Sequence, residues 1–182
     1  YLCAYCMRRV SLDPADQLNY LNIEHLDPQN QLTDEAATGF SNLLGVCPGN
    51  RSSTENAKKT CDAYRGILEE DQQTMRLNPL DEAQMDTIFY QRNGEIGSTD
   101  TELNKELSDK LNLNSEAAYL PQNRETAYSQ LVRFLKAKKP IGEWSKPFLQ
   151  QARQLFCTPD KTGAYRESVG VYEYWLKHWM KK

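Results

Sequence analysis

The chain has 182 residues, of which 39% are hydrophobic, and a formal net charge of −3. This length suits one domain, or a small domain with a helical extension, and excludes two large domains. No apolar run approaches the length of a membrane span, and the first residues lack the basic start and apolar stretch of a signal peptide. We therefore expect a cytoplasmic protein with no membrane partner. Because the chain begins at Tyr1, two residues before a motif, we also expect that an upstream segment is missing.

Charge is distributed unevenly along the chain. Lys and Arg number 6 against 8 Asp and Glu in residues 1–66, 4 against 12 in residues 67–120, and 12 against 5 in residues 121–182. The last region therefore carries a net charge of +7. Such a basic region can attract nucleic-acid phosphates or an acidic protein partner, and a solvated helical surface explains the same charges equally well.

Four of the five cysteines lie in the first third of the chain, at Cys3, Cys6, Cys47 and Cys61. The opening Cys-x-x-Cys pair is typical of a zinc knuckle or a redox motif, but no thioredoxin-like strand and helix surround it. A cytosolic chain also argues against structural disulfides. Zinc takes four ligands, commonly one such pair and two more from a distant segment. We therefore predict a closed structural four-cysteine zinc site, with buried or free thiols as the alternative; Cys157 is expected to be a small apolar residue of a helix.

The segment between the two cysteine pairs predicts a strand, a loop, a second strand and a helix, over residues 20–25, 27–30, 40–47 and 55–65, respectively. The first strand alternates apolar and polar residues and ends with Glu24 and His25. The second strand ends at a cysteine, and the helix is expected to stop near Gly66.

A small hairpin and a helical region are predicted downstream. Residues 88–96 read as two strands around an Asn93-Gly94 turn, and the leucine spacing after Thr101 is helical. Three further helices are expected over residues 123–139, 147–157 and 165–181, the first capped by Asn123 and ended by Pro140. The last helix carries an aromatic stripe, typical of a core or a partner interface, at Tyr172, Trp175, Leu176 and Trp179. The predicted regions are a core at 1–70, a hairpin and helix extension at 71–120, and a basic helical tail at 121–182, which we expect to dock a partner.

The order of strand, loop, strand and helix around a zinc site, with Glu-His on the first strand and Asn on the second, resembles the HNH endonuclease fold, also called ββα-metal. The resemblance implies an α+β protein with a zinc-stabilised ββα-metal core, followed by a small hairpin and a mainly α-helical C-terminal region. It implies that His25 takes a proton from the attacking water and that Asn42 holds the loop that bears His25. Glu24 and Asp62 then correspond to the ligands of a catalytic metal.

Hydrolysis of a phosphodiester needs these kinds of residue. Water must lose a proton near neutral pH, and imidazole titrates in that range. Mg²⁺ or another divalent cation binds carboxylate oxygens and neutralises charge on the phosphate. Basic side chains next to the site, here Lys58, Lys59 and Arg65, are expected to contact the phosphate backbone of the nucleic acid.

One position departs from the family pattern. Relatives often carry His immediately before the helix Cys, and this chain has Thr60 there. If that His is the essential third ligand, the chain is impaired; if Asp62 is a sufficient ligand for Mg²⁺, activity is retained. The only other histidine, His178, lies in a distant predicted helix.

A closer resemblance rests on several segments of the first 125 residues or so, namely CAYCMRRV, IEHLDP, SNLLGVCPGN, LNPL and FYQRNGEIG. They are similar to the retron-associated HNH endonucleases and the Septu PtuB anti-phage defence family. The resemblance implies a toxic effector nuclease that works with an ABC-type ATPase, PtuA. In some systems it also implies a retron reverse transcriptase with its branched RNA–DNA.

Three functions follow from these observations. The leading hypothesis is a metal-dependent endonuclease that cuts DNA, tRNA or other RNA of phage or host. The alternative is a catalytically impaired, zinc-stabilised HNH-fold module that binds its partner or nucleic acid without cutting, which Thr60 favours. The third is a redox protein that uses Cys3 and Cys6.

Overall fold

The computed structural model describes residues 1–27, 33, 39–140 and 143–181, so most of the predicted loop at 27–30 lies outside the described residues. Within them the chain forms two two-stranded sheets and six α-helices, which confirms the α+β class. The elements are, in chain order, β1 (Asn22–His25), β2 (Leu43–Val46), α1 (Cys61–Arg65), α2 (Glu82–Met85), β3 (Ile88–Tyr90), β4 (Ile96–Ser98), α3 (Thr101–Asp109), α4 (Leu120–Lys138), α5 (Lys146–Cys157) and α6 (Val169–Met180).

The first two strands pair antiparallel, with Asn22 opposite Val46 and His25 opposite Leu43. Each is shorter than predicted, and β2 is preceded by a 3-10 turn over Phe40–Asn42. The N-terminal cysteine turn lies beside β2, because the Ala4 N–H donates to the Gly45 carbonyl at 2.9 Å. The predicted strand pair is therefore present and lies against the first two cysteines.

Strand β1 buries its polar face. Glu24 is 5% exposed, whereas Ile23 is 64% exposed. The alternation predicted from the sequence is present, but it turns the acid inward and the apolar side chain outward. The inversion is tolerable because a basic partner, Arg65, lies on the inner side to pair with the acid.

The predicted helix over 55–65 is wrong in its first half, because α1 covers only the last five of those residues. A separate 3-10 turn over Asn56–Lys58 precedes it. The Ala57 carbonyl accepts hydrogen bonds from Asn112 Nδ2 at 3.2 Å and from Ser115 Oγ at 2.5 Å. Since these side chains supply its donors, that carbonyl does not accept from a later turn of a continuous helix.

The hairpin of β3 and β4 is the predicted one, with Tyr90 opposite Ile96. Gly94 in its turn has φ +84°, and a Cβ there would lie 1.9 Å from the Pro121 carbonyl oxygen. The buried Arg124 side chain donates from Nε to the Gly94 carbonyl at 2.5 Å. A glycine is therefore required both by the turn and by the close approach of α4.

Helix α4 begins three residues before the predicted cap at Asn123. Its N-cap is Tyr119, and Pro121 lies in the first turn, where its missing N–H costs nothing. It ends before Pro140, as predicted. None of the described helices, α4 included, combines the length and the apolarity needed to cross a bilayer.

The basic tail packs onto the rest of the chain. Buried side chains of all three predicted regions belong to one continuous apolar cluster. Tyr172, Trp175 and Leu176 of the aromatic stripe are at most 7% exposed, so most of that stripe is core. The Gly170 N–H lies 3.1 Å from Met7 Sδ, which joins α6 to the N-terminal cysteine turn.

Candidate metal centre and adjoining carboxylates

The four predicted cysteines come together in the interior. Their Sγ atoms all lie within 4.8 Å of one another, and all four side chains are buried. The separations are 3.8 Å for Cys3 and Cys61, 3.7 Å for Cys6 and Cys47, and 3.8 Å for Cys47 and Cys61. The predicted grouping of these cysteines is confirmed.

Three segments carry these thiols to one point. Cys3 and Cys6 belong to a tight N-terminal turn, in which the Met7 N–H donates to the Cys3 carbonyl at 3.0 Å. Cys47 directly follows β2, and Cys61 opens α1. Met7 and Cys61 have φ of 57° and 55°, a left-handed conformation that is uncommon for residues other than glycine. The backbone is therefore strained at two residues next to or within the cluster, Met7 and Cys61, where the sulfurs come together.

The geometry fits a tetrahedral metal site. Zinc–thiolate bonds of about 2.3 Å at tetrahedral angles place neighbouring sulfurs about 3.8 Å apart. A disulfide would require about 2.05 Å, so the observed separations are those of thiol ligands and not of bonded pairs. The four cysteines can therefore hold a metal ion such as zinc, with no coordination position open to a substrate.

The buried thiols differ in acidity. Contacts with the neighbouring thiols of Cys47, Cys6 and Cys61 hold the pKa of Cys3 well below its usual range. Contacts with the same group of sulfurs, Cys3 first, raise the pKa of Cys61. The four crowded thiols therefore titrate as a coupled group.

Beside this cluster, Glu24 of β1 and Arg65 of α1 form a buried ion pair at 2.5 Å. Arg65 is 4% exposed and also donates to the carbonyls of His25 and Leu26, both at 3.0 Å, and of Gln73 at 2.6 Å. The prediction that Arg65 contacts a nucleic-acid backbone is therefore contradicted. Its guanidinium donates to acceptors inside the protein, and these hydrogen bonds join α1 to the end of β1.

The carboxyl group of Glu24 is also influenced by that of Asp62. Burial first, and then hydrogen bonding to Asp62 and its charge, raise the pKa of Glu24 to about 8, against the opposing effect of Arg65. Asp62, on the first turn of α1, forms an ion pair with Arg51. The two carboxyl groups predicted as metal ligands thus influence each other electrostatically, and each forms an ion pair with an arginine, Glu24 with Arg65 and Asp62 with Arg51.

His25 and Asn42 lie at the end of this strand pair. His25 follows Glu24 on β1, is half-buried, and accepts the Arg65 bond on its carbonyl. Asn42 is buried; its Oδ1 accepts from the Asp27 N–H at 2.7 Å, and its Nδ2 donates to the Asp27 carbonyl at 3.3 Å. Asn42 therefore holds the backbone of Asp27, two residues after His25.

The remaining predicted residues lie on the turn before α1. Lys58 forms an exposed ion pair with Glu55 at 2.6 Å, and Lys59 donates from Nζ to Asn56 Oδ1 at 3.2 Å. Of the candidate ligands in the described part of the chain, only the four cysteines form a group of three or more His, Cys, Asp or Glu residues that could hold an ion. Within that part, Glu24 and Asp62, the predicted ligands of a catalytic cation, are not members of such a group.

Sequence reasoning missed two residues of this site, Arg51 and Tyr5, and did not foresee the burial of Thr60. Arg51 pairs with Asp62, and the Tyr5 hydroxyl donates to Glu24 Oε1 at 3.4 Å. Thr60 is fully buried, and its Oγ1 has no hydrogen-bond partner within the described structure. The segment between Cys47 and Cys61 carries three cations, Arg51, Lys58 and Lys59, and its sequence does not distinguish Arg51 from the two lysines.

Comparison with known proteins adds no assignment. A scan against protein-family models found no match, and a search of curated proteins found none either.

Proposed function

We propose that the chain is a metal-dependent endonuclease of the HNH type, with a structural zinc ion in its four-cysteine cluster. The observation that carries the proposal is the junction of β1 and α1: Arg65 of α1 pairs with Glu24 of β1, and Asp62 lies on the same short helix. His25 follows Glu24 on β1. This is the residue set that the family resemblance assigns to phosphodiester hydrolysis.

The chemistry of the donor set supports a cation at the carboxyl pair. Two adjacent carboxylates repel each other when both are ionised, and the raised pKa of Glu24, about 8, expresses that repulsion together with burial. A divalent cation such as Mg²⁺, once bound there, supplies charge neutralisation for a phosphate. Zinc in the sulfur cluster supplies rigidity, since both carboxylates lie on elements that the cysteines join.

The chain's own residues divide the remaining work. His25 accepts a proton from the attacking water, because neutral imidazole is a base near pH 7. Asn42 clamps the Asp27 backbone and so limits movement of the segment after His25. Lys58 and Lys59 contact the phosphate backbone, whereas Arg65 orients Glu24 from inside.

The biological setting we propose comes from the family resemblance. In that setting the chain is the toxic effector of a Septu or retron type of anti-phage system. Its partners are then the ABC-type ATPase PtuA and, in retron systems, the reverse transcriptase with its branched RNA–DNA. Co-purification of the full chain with such an ATPase tests this part of the proposal, and failure of a co-expressed pair to associate contradicts it.

A second candidate function is binding without cleavage. Two observations favour it: both carboxylates already have an arginine partner, and Thr60 stands where relatives often carry His. Carboxylates that are already paired with arginines bind a metal cation less strongly. The cleavage assay described next, with its His25→Ala variant, distinguishes the two candidates.

The test is plasmid and total-RNA cleavage with added Mg²⁺ by the parent chain and His25→Ala. Loss of a general base typically costs about 10²- to 10⁴-fold in rate, so we expect a fall of that size. The matched control is His178→Ala, because this histidine lies on α6 and stacks on Tyr174, away from the carboxyl pair. Zinc content is measured in each protein to verify that the fold is retained.

The outcomes separate the candidates. Equal cleavage by parent and His25→Ala removes His25 from the mechanism and contradicts the proposal. Absence of cleavage by a zinc-loaded parent that still binds nucleic acid supports the binding module.

A further inference from the structure

A polar cavity of about 680 Å³ opens beside the turn that precedes α1. Its walls come from the N-terminal turn, the loop after β2 and the start of α4. The lining residues that matter here are Arg8, Asn50, Lys58, Tyr119 and Asn123. None of these has been given a role in the chemistry above except Lys58, and no lining residue among those described is acidic.

Two cations face this space. The Arg8 guanidinium has five N–H donors, and one of them bonds the Ala118 carbonyl at 3.3 Å. Further N–H groups can therefore donate to a ligand in the cavity. Lys58 pairs with Glu55, but their side chains are 45% and 62% exposed, so the pair is weak and a phosphate can replace the carboxylate. The cavity therefore offers a positive charge on two of its walls.

The backbone that carries Lys58 is held rigidly. Its carbonyl accepts from Asn50 Nδ2 at 2.7 Å, and the carbonyl of Lys59 accepts from Asn112 Nδ2 at 2.8 Å. The Ala57 carbonyl is also bonded to side chains, as described above. A turn fixed in this way presents its lysine without much further loss of backbone entropy on binding.

Tyr119 supplies an aromatic surface at the same cavity. It has φ 58°, a left-handed conformation that is strained for a bulky residue, and it is 68% exposed. The strain is sustained by backbone bonds on both sides, from the Tyr119 N–H to Glu116 and from the Asn123 N–H to the Tyr119 carbonyl. A large aromatic side chain kept in solvent at the expense of a strained backbone suggests a binding role rather than a packing role.

We infer that this cavity binds an unpaired nucleotide of a single-stranded nucleic acid, with its phosphate between Arg8 and Lys58 and its base stacked on Tyr119. Stacking on an aromatic ring requires a base that is free of its own stack, so a single strand fits and an intact duplex does not. The inference rests on the proposed function in one respect: it specifies that the substrate is single-stranded near the site. Binding itself is measured without cleavage.

The experiment is fluorescence anisotropy of the zinc-loaded full chain with labelled single-stranded DNA and RNA of mixed sequence, and with the matching DNA duplex, without added Mg²⁺. Base stacking on one aromatic side chain corresponds to about 5- to 150-fold in Kd. We therefore expect Tyr119→Ala to weaken single-strand binding by a factor in that range and Tyr119→Phe to restore it. Tyr165→Ala, a change at another exposed tyrosine, is the matched control and leaves Kd unchanged.

Tyr119→Gly separates binding from folding. Glycine relieves the left-handed strain, so this variant should melt at a higher temperature than the parent and still lose affinity. Lys58→Gln should lower the slope of log Kd against log salt by about 1, whereas Lys161→Gln, on an exposed turn of the tail, should not change it.

Three results overturn the inference. They are an unchanged Kd in Tyr119→Ala, an equal loss of duplex and single-strand binding in that variant, and complete competition by an acidic peptide that does not depend on Tyr119. Tyr119-dependent binding by a parent chain that does not cleave leaves the inference standing and contradicts the nuclease. Cleavage by Tyr119→Ala with an unchanged Kd contradicts the inference and leaves the nuclease proposal standing.

Discussion

The Arg65 guanidinium donates to the Glu24 carboxylate across the junction of α1 and β1, and both side chains are at most 6% exposed. Arg65 also donates to three backbone carbonyls. One side chain thus joins the helix that begins at Cys61 to the strand that carries the candidate catalytic residues. The integrity of the site depends on this buried pair as well as on the sulfur cluster.

Breaking this pair from one side should be costly. We expect Arg65→Met to lower the free energy of unfolding by about 3–5 kcal/mol, because it leaves the Glu24 side chain and three backbone carbonyls without their donor. Adding Glu24→Leu should recover part of the loss, although the three carbonyls stay unpaired. Urea denaturation of the four species of this double-mutant cycle measures the coupling.

An exposed pair provides the control. Arg153 and Glu173 join α5 to α6 at 2.7 Å, with side chains that are 48% and 26% exposed. The same cycle with Arg153→Met and Glu173→Leu should give a coupling of about 0–1 kcal/mol. A coupling for Glu24 and Arg65 no larger than that of the exposed pair would contradict the role assigned to Arg65.

Metal removal should unfold the N-terminal region. We expect the zinc-loaded chain to react slowly with a thiol reagent at pH 8, and a chelator to expose four further thiols and lower the helical signal. Cys157 reacts slowly for a different reason, since burial and the nearby Glu173 raise its pKa to about 12 and leave little thiolate at pH 8.

Cysteine variants provide the matched comparison. Cys61→Ala should abolish stoichiometric zinc, whereas Cys157→Ala should keep one zinc per chain. One zinc per chain retained in Cys61→Ala would contradict the four-cysteine site. Metal analysis of the purified proteins decides between these results.

Thr60→Val should be neutral or stabilise by up to about 1 kcal/mol. The Thr60 hydroxyl is fully buried without a partner in the described structure, and valine keeps the shape while removing the unsatisfied group. The control is Thr87→Val, because Thr87 Oγ1 bonds the Gln84 carbonyl and Ser98 Oγ, both at 2.7 Å. Thermal melting should show a loss of about 0.5–1.5 kcal/mol for the control alone; an equal loss in both variants would indicate that Thr60 has a partner.

Gly170→Ala tests the attachment of α6 to the cysteine turn. A Cβ at this position would lie 2.7 Å from the Tyr90 hydroxyl oxygen and 2.8 Å from Met7 Cε. We expect a loss of about 1–3 kcal/mol from overpacking, although alanine favours a helix by about 1 kcal/mol. The loss in the free energy of unfolding should be smaller in a Met7→Ala background, because that change removes the Met7 side chain from the path of the added methyl group. Urea denaturation checks both, and an equal cost in the two backgrounds would place the strain elsewhere.

The cysteine cluster could be predicted from the sequence because ligand chemistry restricts the possibilities. A closely spaced thiol pair needs two further ligands, and Cys47 and Cys61 were the candidates nearest in the chain. The hairpin at Asn93-Gly94 was predictable for a local reason, since that turn requires a left-handed residue. The nuclease activity, the ATPase partner and the roles of His25 and Asn42 stay predictions.

Other features depend on contacts between residues far apart in the chain. Alternation predicted the two faces of β1, but which face is covered depends on Arg65, 41 residues from Glu24. A basic residue near a predicted active site reads as a phosphate contact, and only the packing of α1 against β1 turns Arg65 inward. The start of α1 was misplaced because Asn112 and Ser115, more than fifty residues away, occupy the Ala57 carbonyl.

The sequence by itself therefore determined the grouping of the four cysteines, the α+β class and the hairpin, because these follow from side-chain chemistry and local backbone preference. Only the tertiary structure decided which charges are buried, which helix start is used and which aromatic residue faces solvent. Burial is a property of what packs against a residue, and a local pattern carries no record of a partner forty or more residues away.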